Sequence, residues 1–182
     1  WDSNWNGGYS AITKWNITID NKGWEYSIHN DGSTYIIVGY IGIENEVVIP
    51  DTYNGKPVTS IGSSAFYNCS GLTSITIPDS VTSIGNYAFY GCSGLTSMNY
   101  LGTLDQWVQI NFGDYYSNPT RCTKKLVING QEVTNAVISD GVTSIGNYAF
   151  YNCSGLTSIT IPGSVTSIGS YAFDGCSGLT SM

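Results

Sequence analysis

A repeat of 23 residues is the feature that most constrains how this chain can fold. The dipeptide Ala-Phe occurs four times, beginning at Ala65, Ala88, Ala149 and Ala172. Four cysteines step in the same way, by 23, 61 and 23 residues, at Cys69, Cys92, Cys153 and Cys176. Because 61 exceeds 23 by 38, one unit has been replaced by a longer variant or interrupted. Units this small cannot bury a core alone, so the repeat predicts a stack of coils.

One unit shows how such a coil is built. In the run from Leu72 to Ile77 the last apolar positions alternate, as a half-buried strand requires, and Pro78 ends the strand. A second short apolar pair follows, then a bend at Gly85 and a compact Ala-Phe turn. Identical coils stacked about 4.8 Å apart in a parallel sheet would bury these residues against one another. A period of 23 lies within the range of about 20–29 residues of leucine-rich repeats.

The motif L-x-x-I-x-I-P-x-x-V-x-x-I-G-x-x-A-F-x-x-C-x-G resembles the BspA-like leucine-rich repeat of bacterial surface proteins. It covers residues 49–98 and 137–182, and residues 99–136 resemble a longer repeat of that family, with Tyr-x-Gly-Thr-x-x-x-Trp and an Asn-Gly hairpin. The resemblance implies an α/β solenoid, mostly β: a right-handed leucine-rich-repeat array with a parallel concave sheet. It also implies a surface role in adhesion or protein binding.

The chain divides into an N-terminal segment and capping hairpin (residues 1–48) and the repeats (49–182), with the variant at 99–136, in one continuous domain. Asn30-Asp31-Gly32 predicts the hairpin, and 47–49 the first repeat strand. Residues 1–24 do not fit the repeat. The chain ends at Met182 just as a strand begins, which suggests a truncated C-terminus or further repeats.

The variant segment contains two local signals. Residues 103–112 predict a short helix, with Thr103 and Gln106 as a capping box. Asn129-Gly130 predicts a hairpin with a type I′ turn. Between them we expect a loop, from Tyr115 to Thr120.

Composition argues against two classes of partner. The net charge is −7 and only 10% of residues are charged, so the basic cluster that nucleic acid requires is missing. The longest apolar stretch, Tyr35 to Ile43, is far shorter than the ~18 residues of a membrane span. No signal peptide is visible at Trp1.

The recurring cysteines favour a ladder of buried free thiols. Stacked Cβ atoms about 4.8 Å apart are farther apart than the ~3.8 Å that a disulfide prefers. Cys122 lies in a polar loop, where it is either a reactive thiol or incidental. No zinc pattern occurs, and His29, beside the hairpin turn, is interpreted as a solvated turn histidine.

No catalytic or metal-binding group is predicted. Carboxylates such as Asp79, Asp140 and Asp174 fall in turns, where aspartate hydrogen-bonds the backbone. Residues 2–7 match the first half of a calcium loop, but the twelfth position is Thr13 instead of glutamate.

Two surface ladders are the candidate binding residues. Strand positions that point away from the core carry hydroxyl and amide groups at Ser74, Thr76, Ser97, Asn99, Ser158 and Thr160. Around the Ala-Phe turn, tyrosines recur at Tyr87, Tyr148 and Tyr171, with Tyr67, Tyr90 and Tyr151 nearby. Tyrosine is a common anchor in binding surfaces, although a repeated tyrosine can instead pack along its neighbour and protect the core edge.

These observations predict a non-enzymatic, extracellular or cell-surface module. It would act as a monomer without cofactor and bind a protein or glycan, host-derived ligands included, through repeated weak contacts. The alternative is a structural spacer or targeting array that presents another domain. An enzyme with its chemistry in residues 1–24 or 99–136 would need a nucleophile, base and oxyanion donors that these segments do not assemble.

Overall fold

A computed structural model describes residues 17–180 of the chain. These residues wind into a mostly β solenoid, which confirms the predicted fold class. The strands are β1 (Ile17–Ile19), β2 (Trp24–Ile28), β3 (Tyr35–Tyr40), β4 (Glu46–Val48), β5 (Thr52–Tyr53), β6 (Lys56–Ile61), β7 (Ser74–Ile77), β8 (Ser83–Ile84), β9 (Ser97–Tyr100), β10 (Asn111–Phe112), β11 (Val127–Ile128), β12 (Gln131–Glu132), β13 (Asn135–Val137), β14 (Ser144–Ile145), β15 (Ser158–Thr160) and β16 (Ser167–Ile168). The helices are single turns, α1 (Leu104–Trp107) and α2 (Thr120–Thr123).

Each coil contributes two short strands, and strands of successive coils pair in parallel. On one side β4, β7 and β9 align so that Val47, Ile75 and Met98 are neighbours. On the other, β6, β8 and β10 align Ile61, Ile84 and Phe112. The later coils repeat this with β13 beside β15 and β14 beside β16. The aligned residues of β4, β6–β10 are buried, so the stack buries the faces that no single coil could cover.

Threonine hydrogen bonds carry the 23-residue period through the backbone. The amide N–H of Thr96 donates to the carbonyl of Thr73 at 3.1 Å, and that of Thr180 donates to Thr157 at 3.0 Å. In each pair the later threonine's hydroxyl also donates to the same carbonyl. These bonds hold the two coils of each pair in the 23-residue register.

The Ala-Phe turns form a third side of the core, beside the two sets of strands. Phe66 stacks on Phe89 with ring centroids 5.3 Å apart, and Phe150 stacks on Phe173 at the same distance. Such stacking requires that each coil place the ring at the same height and angle as the one before it. This placement explains why the dipeptide recurs without change.

The predicted N-terminal hairpin is confirmed: β2 and β3 pair antiparallel, and β3 continues in parallel onto β6. Trp24 covers this end of the core and meets Phe66 edge-on at 6.0 Å. A second hairpin joins β5 to β6 across Asn54 and Gly55, both with positive φ. That hairpin was not predicted from the sequence, although its Asn-Gly turn is a hairpin signal.

The variant repeat confirms two predictions and corrects two. The capping box is present, with the Gln106 amide donating to the Thr103 hydroxyl at 3.2 Å, and Asn129 and Gly130 turn at positive φ. The prediction of a helix over 103–112 was wrong in length, because α1 ends at Trp107 and residues 111–112 pair as β10 with β8. The loop placement of Cys122 was also wrong, because the residue lies in α2 and packs half-buried against the core.

Within residues 17–180, no helix has the length and apolar character needed to cross a lipid bilayer.

Candidate functional site

Three tyrosines share an unusual backbone conformation on the outside of the Ala-Phe turn. Tyr87, Tyr148 and Tyr171 have φ values of 57°, 59° and 56°, in the left-handed region. A bulky side chain there costs on the order of 1–3 kcal/mol and persists only where the surrounding structure enforces it. Ser64 occupies the same place in the first coil, with φ of 59°.

Hydrogen bonds from neighbouring coils hold these turns. The backbone N–H of Tyr87 donates to the Asp114 carboxylate at 3.2 Å, and that of Ser170 donates to Asn147 Oδ1 at 2.7 Å. The Asn118 amide donates to the carbonyl of Tyr148 at 2.7 Å, and the Thr120 hydroxyl to that of Tyr151 at 2.7 Å. The variant repeat is therefore what fixes the turn of the following coil.

The left-handed turn carries the tyrosine rings out of the core. Tyr87 is 46% exposed and Tyr171 62%, while Ala88 and Ala172, the next residues along the chain, are buried. This surface, which we call the tyrosine face, is made by Tyr67, Tyr87, Tyr90, Tyr115, Tyr116, Tyr148, Tyr151 and Tyr171.

The eight rings of the tyrosine face form one connected network across successive coils. Ring centroids lie close together in the pairs Tyr67 with Tyr90 (5.0 Å), Tyr87 with Tyr90 (6.1 Å), Tyr90 with Tyr116 (4.7 Å), Tyr87 with Tyr116 (5.5 Å), Tyr115 with Tyr116 (4.0 Å), Tyr115 with Tyr151 (5.9 Å), Tyr148 with Tyr151 (6.0 Å) and Tyr148 with Tyr171 (5.6 Å). Aromatic contacts at such distances stabilise each other. The rings therefore pack along their neighbours, as the alternative interpretation expected, and still leave an exposed aromatic surface.

Two members that complete the network were not predicted from the sequence. Tyr115 and Tyr116 lie in the variant repeat, outside the 23-residue spacing. The visible signal was Gly113-Asp-Tyr115, which repeats Gly85-Asn-Tyr87 with aspartate for asparagine. Without this pair, the rings before residue 99 and those after 147 would form two separate patches.

Two charged side chains, Arg121 and Asp114, contact the tyrosine face. The Arg121 guanidinium lies 4.5 Å from the Tyr116 ring centroid, and the Asp114 carboxylate accepts hydrogen bonds from the backbone at Tyr87 and Tyr116. A hydrogen bond to Tyr116 raises the pKa of Tyr115 to about 12, and partial burial raises the pKa of Tyr148. Since an unperturbed tyrosine already has a pKa of about 10, both phenols keep their protons at neutral pH.

The predicted strand residues lie in two separate sheets. Ser74 and Ser97 are neighbours in one sheet, as are Thr76 and Asn99. Ser158 and Thr160 belong to the pair β13 and β15, where their neighbours are Asn135 and Val137. Exposed Glu46 and Val48 continue the first ladder. The strand surface therefore alternates hydroxyl, acidic and apolar side chains.

The four ladder thiols are free; Cys92 and Cys153 are buried, whereas Cys69 and Cys176 are half-buried. All five cysteines are unbonded, and the thiols of Cys92 and Cys176 donate to the carbonyls of Phe66 and Phe150, each at 3.0 Å. Burial raises the pKa of Cys92 and of Cys153 to about 12. Thiols with such pKa values are poor nucleophiles at neutral pH.

The other groups considered from the sequence do not gather into a site. His29 was expected to be solvated, but its side chain is half-buried and its Nε2 lies 3.5 Å from the Ser60 hydroxyl. Among residues 17–180, no three histidine, cysteine or acidic side chains are close enough to hold a metal ion. The calcium-loop motif lies outside the described residues. A cleft of about 690 Å³ lies at the end of the solenoid marked by Trp24, away from the tyrosine face, with Ile41, Ile43 and Val48 in its lining.

Comparison with known proteins places this geometry in a family. The sequence model described as BspA type Leucine rich repeat region matches residues 45–118 and 124–182, in six copies. A comparison with curated proteins gave no match.

Several solved structures resemble the chain. A leucine-rich repeat protein of T. pallidum is 28% identical, with a TM-score of 0.58, over 88% of this chain and 68% of that one. A leucine-rich cell surface protein of Faecalibacterium prausnitzii is 27% identical, with a TM-score of 0.55, over 90% of this chain and 53% of that one. A leucine-rich repeat protein of Bacteroides ovatus is 26% identical, with a TM-score of 0.51, over 94% of this chain and 46% of that one. The chain thus spans about half the length of the last two. From its repeats, its stacked strands and the match over most of its length, the chain belongs to the BspA-type leucine-rich repeat family.

Proposed function

We propose that the chain is a non-enzymatic module of a cell-surface or secreted protein and that it binds a protein or glycan through the tyrosine face. The observation that carries the proposal is the network of eight partly exposed rings, three of them held in left-handed backbone. Strained residues that recur at one surface point to a function, because packing alone does not need them. Ser64 supports this reasoning, since the first coil makes the same turn without a ring.

Repetition suits this role. Tyrosine offers a large apolar area and a hydroxyl group with little side-chain entropy to lose. Equivalent rings on successive coils would bind a repetitive ligand at several points, and linked weak contacts raise the overall affinity. A surface location is supported by the similarity to the cell surface protein of F. prausnitzii.

The test is a binding screen of the full chain against extracellular-matrix proteins and glycans. A double variant, Tyr87→Ser with Tyr148→Ser, removes two rings and places at both positions the residue that Ser64 already provides at the same φ. A second variant, Ser74→Ala with Ser158→Ala, changes the strand surface. The proposal expects ligands whose binding the tyrosine variant weakens at least about tenfold and the serine variant leaves unchanged.

Two results would overturn the proposal. If the serine variant alone lost binding, the strand surface would be the site. If correctly folded protein bound nothing in the screen, the spacer interpretation would replace the binding module.

A further inference from the structure

Resting on the proposed function, the geometry points to one ligand class: we infer that the tyrosine face binds a proline-rich segment in the polyproline II conformation. The inference depends on four properties of the face, namely its backbone hydrogen bonding, the spacing of its rings, its hydrogen-bond donors and the charge around it.

The backbone beneath the rings is already paired, which excludes a ligand that adds as a β-strand. The N–H groups of Phe66 and Asn68 donate to the carbonyls of Ala88 and Tyr90, at 2.9 and 2.7 Å. The N–H of Phe150 donates to Ala172 in the same way, at 2.8 Å. Strand addition needs a row of unpaired backbone groups. A ligand on this face must therefore be recognised by the side chains.

The spacing of the rings matches the polyproline II repeat. This helix rises about 3.1 Å per residue with three residues per turn, which gives about 9.3 Å per turn. Coils of a parallel stack lie about 4.8 Å apart, so every second coil is displaced by about 9.6 Å. Stacked tyrosines of adjacent coils have centroid distances of 5.0 to 5.6 Å, consistent with one ring per coil. One face of the ligand would meet equivalent rings turn after turn.

The chemistry of the face is also complementary. Polyproline II has no internal hydrogen bonds, so its carbonyls remain free to accept, while proline has no N–H to donate. The tyrosine face presents rings for pyrrolidine packing, together with phenol hydroxyls and the Arg121 guanidinium as donors. Its carboxylate at Asp114 is engaged with backbone N–H groups.

The negative charge of the chain restricts the charge of the ligand. The chain has a net charge of −7, and Asp174 replaces a tyrosine at the end of the ring column, 23 residues after Tyr151. An acidic ligand would be repelled, whereas a neutral or basic proline-rich segment would not.

The experiment titrates the full ¹⁵N-labelled chain with a decaproline peptide and follows amide shifts. A Gly-Ser peptide of ten residues and a xylan oligosaccharide serve as comparison ligands. We expect saturable shifts with decaproline at Tyr87, Tyr90, Tyr148 and Tyr151, and none with the Gly-Ser peptide. The Tyr87→Ser, Tyr148→Ser variant should weaken the binding at least about tenfold, and the Ser74→Ala, Ser158→Ala variant by less than about twofold.

Each other outcome decides against the inference. If the oligosaccharide shifts the amide signals of the tyrosine face and decaproline does not, the inferred ligand class is wrong and the proposed function stands. If decaproline binds equally to the tyrosine variant, the polyproline site is not on this face. If neither ligand shifts the amide signals of the tyrosine face, and no ligand from the wider screen depends on its rings, both the inference and the proposed function fail. Circular dichroism of each variant shows whether loss of binding reflects loss of fold.

Discussion

Tyr148 and Tyr171 lie 23 residues apart in sequence, and their rings stack 5.6 Å apart with planes within 3° of parallel. Both residues also have left-handed backbone, at φ of 59° and 56°. Residues one sequence period apart therefore adopt the same backbone conformation and pack against each other. This repetition occurs on the surface as well as in the core.

The left-handed turns should tolerate asparagine and reject β-branched residues. Tyr87→Val should be less stable than Tyr87→Asn by about 1–2 kcal/mol, because Cβ branching clashes at positive φ and asparagine is tolerated there. Both variants lose the same ring, so the difference isolates the backbone. Urea denaturation followed by circular dichroism measures it. Tyr67, a ring of the same face that is not at positive φ, supplies the control pair Tyr67→Val and Tyr67→Asn. Equal stability of the two Tyr87 variants would refute the strained turn.

Two buried aromatic residues in contact should respond in opposite ways to loss of a polar group. The Trp107 indole N–H donates to the carbonyl of Ala149 at 2.8 Å, whereas the Tyr100 hydroxyl is buried without a hydrogen-bond partner in the described part of the chain. Trp107→Phe should therefore cost about 2–4 kcal/mol through the lost bond and the smaller ring. Tyr100→Phe should be neutral or stabilise by about 1 kcal/mol. Chemical denaturation of the two variants tests this; a destabilising Tyr100→Phe would reveal a partner for the hydroxyl.

Stability should fall in alkaline solution through the buried thiols. In the unfolded chain these thiols titrate near their ordinary value of 9.0, whereas burial raises the pKa of Cys92 and Cys153 to about 12. Between these pH values the folded state binds more protons, so the free energy of unfolding decreases as the pH rises, by up to about 1.4 kcal/mol per pH unit for each thiol. Below about pH 9 both states are protonated and this contribution does not change.

The matched variant for this prediction is Cys92→Ala with Cys153→Ala. Its stability between pH 9 and 11 should fall less steeply than that of the wild type, with a remaining slope from phenols such as Tyr100, whose pKa burial raises to about 12. Denaturation midpoints across the pH series provide the measurement. Identical slopes in both proteins would mean that the thiols are not the cause.

A whole coil should be removable, but only in phase. Deleting residues 74–96 joins residue 73 to Ser97, which already occupies the register of Ser74 one coil later. We expect a folded, shorter solenoid with lower stability, because stability in a stack is a sum over coils and their interfaces. Deleting only residues 74–93 should abolish cooperative melting, since apolar residues would leave the core face. A cooperative melt for the out-of-phase deletion would contradict the stacked register.

The 23-residue period alone predicts the stacking of the coils and which strands are neighbours. Ile75 must neighbour Met98 once coils of equal length stack, and the Asn129-Gly130 hairpin and the Thr103 capping box depend on residues adjacent in sequence. Local chemistry of this kind is readable from the chain. The domain boundary at residue 48, the strand binding residues and the interpretation of the C-terminus remain predictions.

The tyrosine face depends partly on the sequence period and partly on tertiary packing. That Tyr87 and Tyr148 recur in equivalent places was determined by the sequence, because a repeat must put like residues in like positions. That Tyr115 and Tyr116 join them into one surface was decided only by tertiary structure. The variant repeat has its own length, so the position of its rings depends on how α1, β10 and α2 bring the chain back against the next coil, through Asn118 and Thr120. Contacts between segments of unequal length are set by packing, and no periodicity in the sequence encodes them.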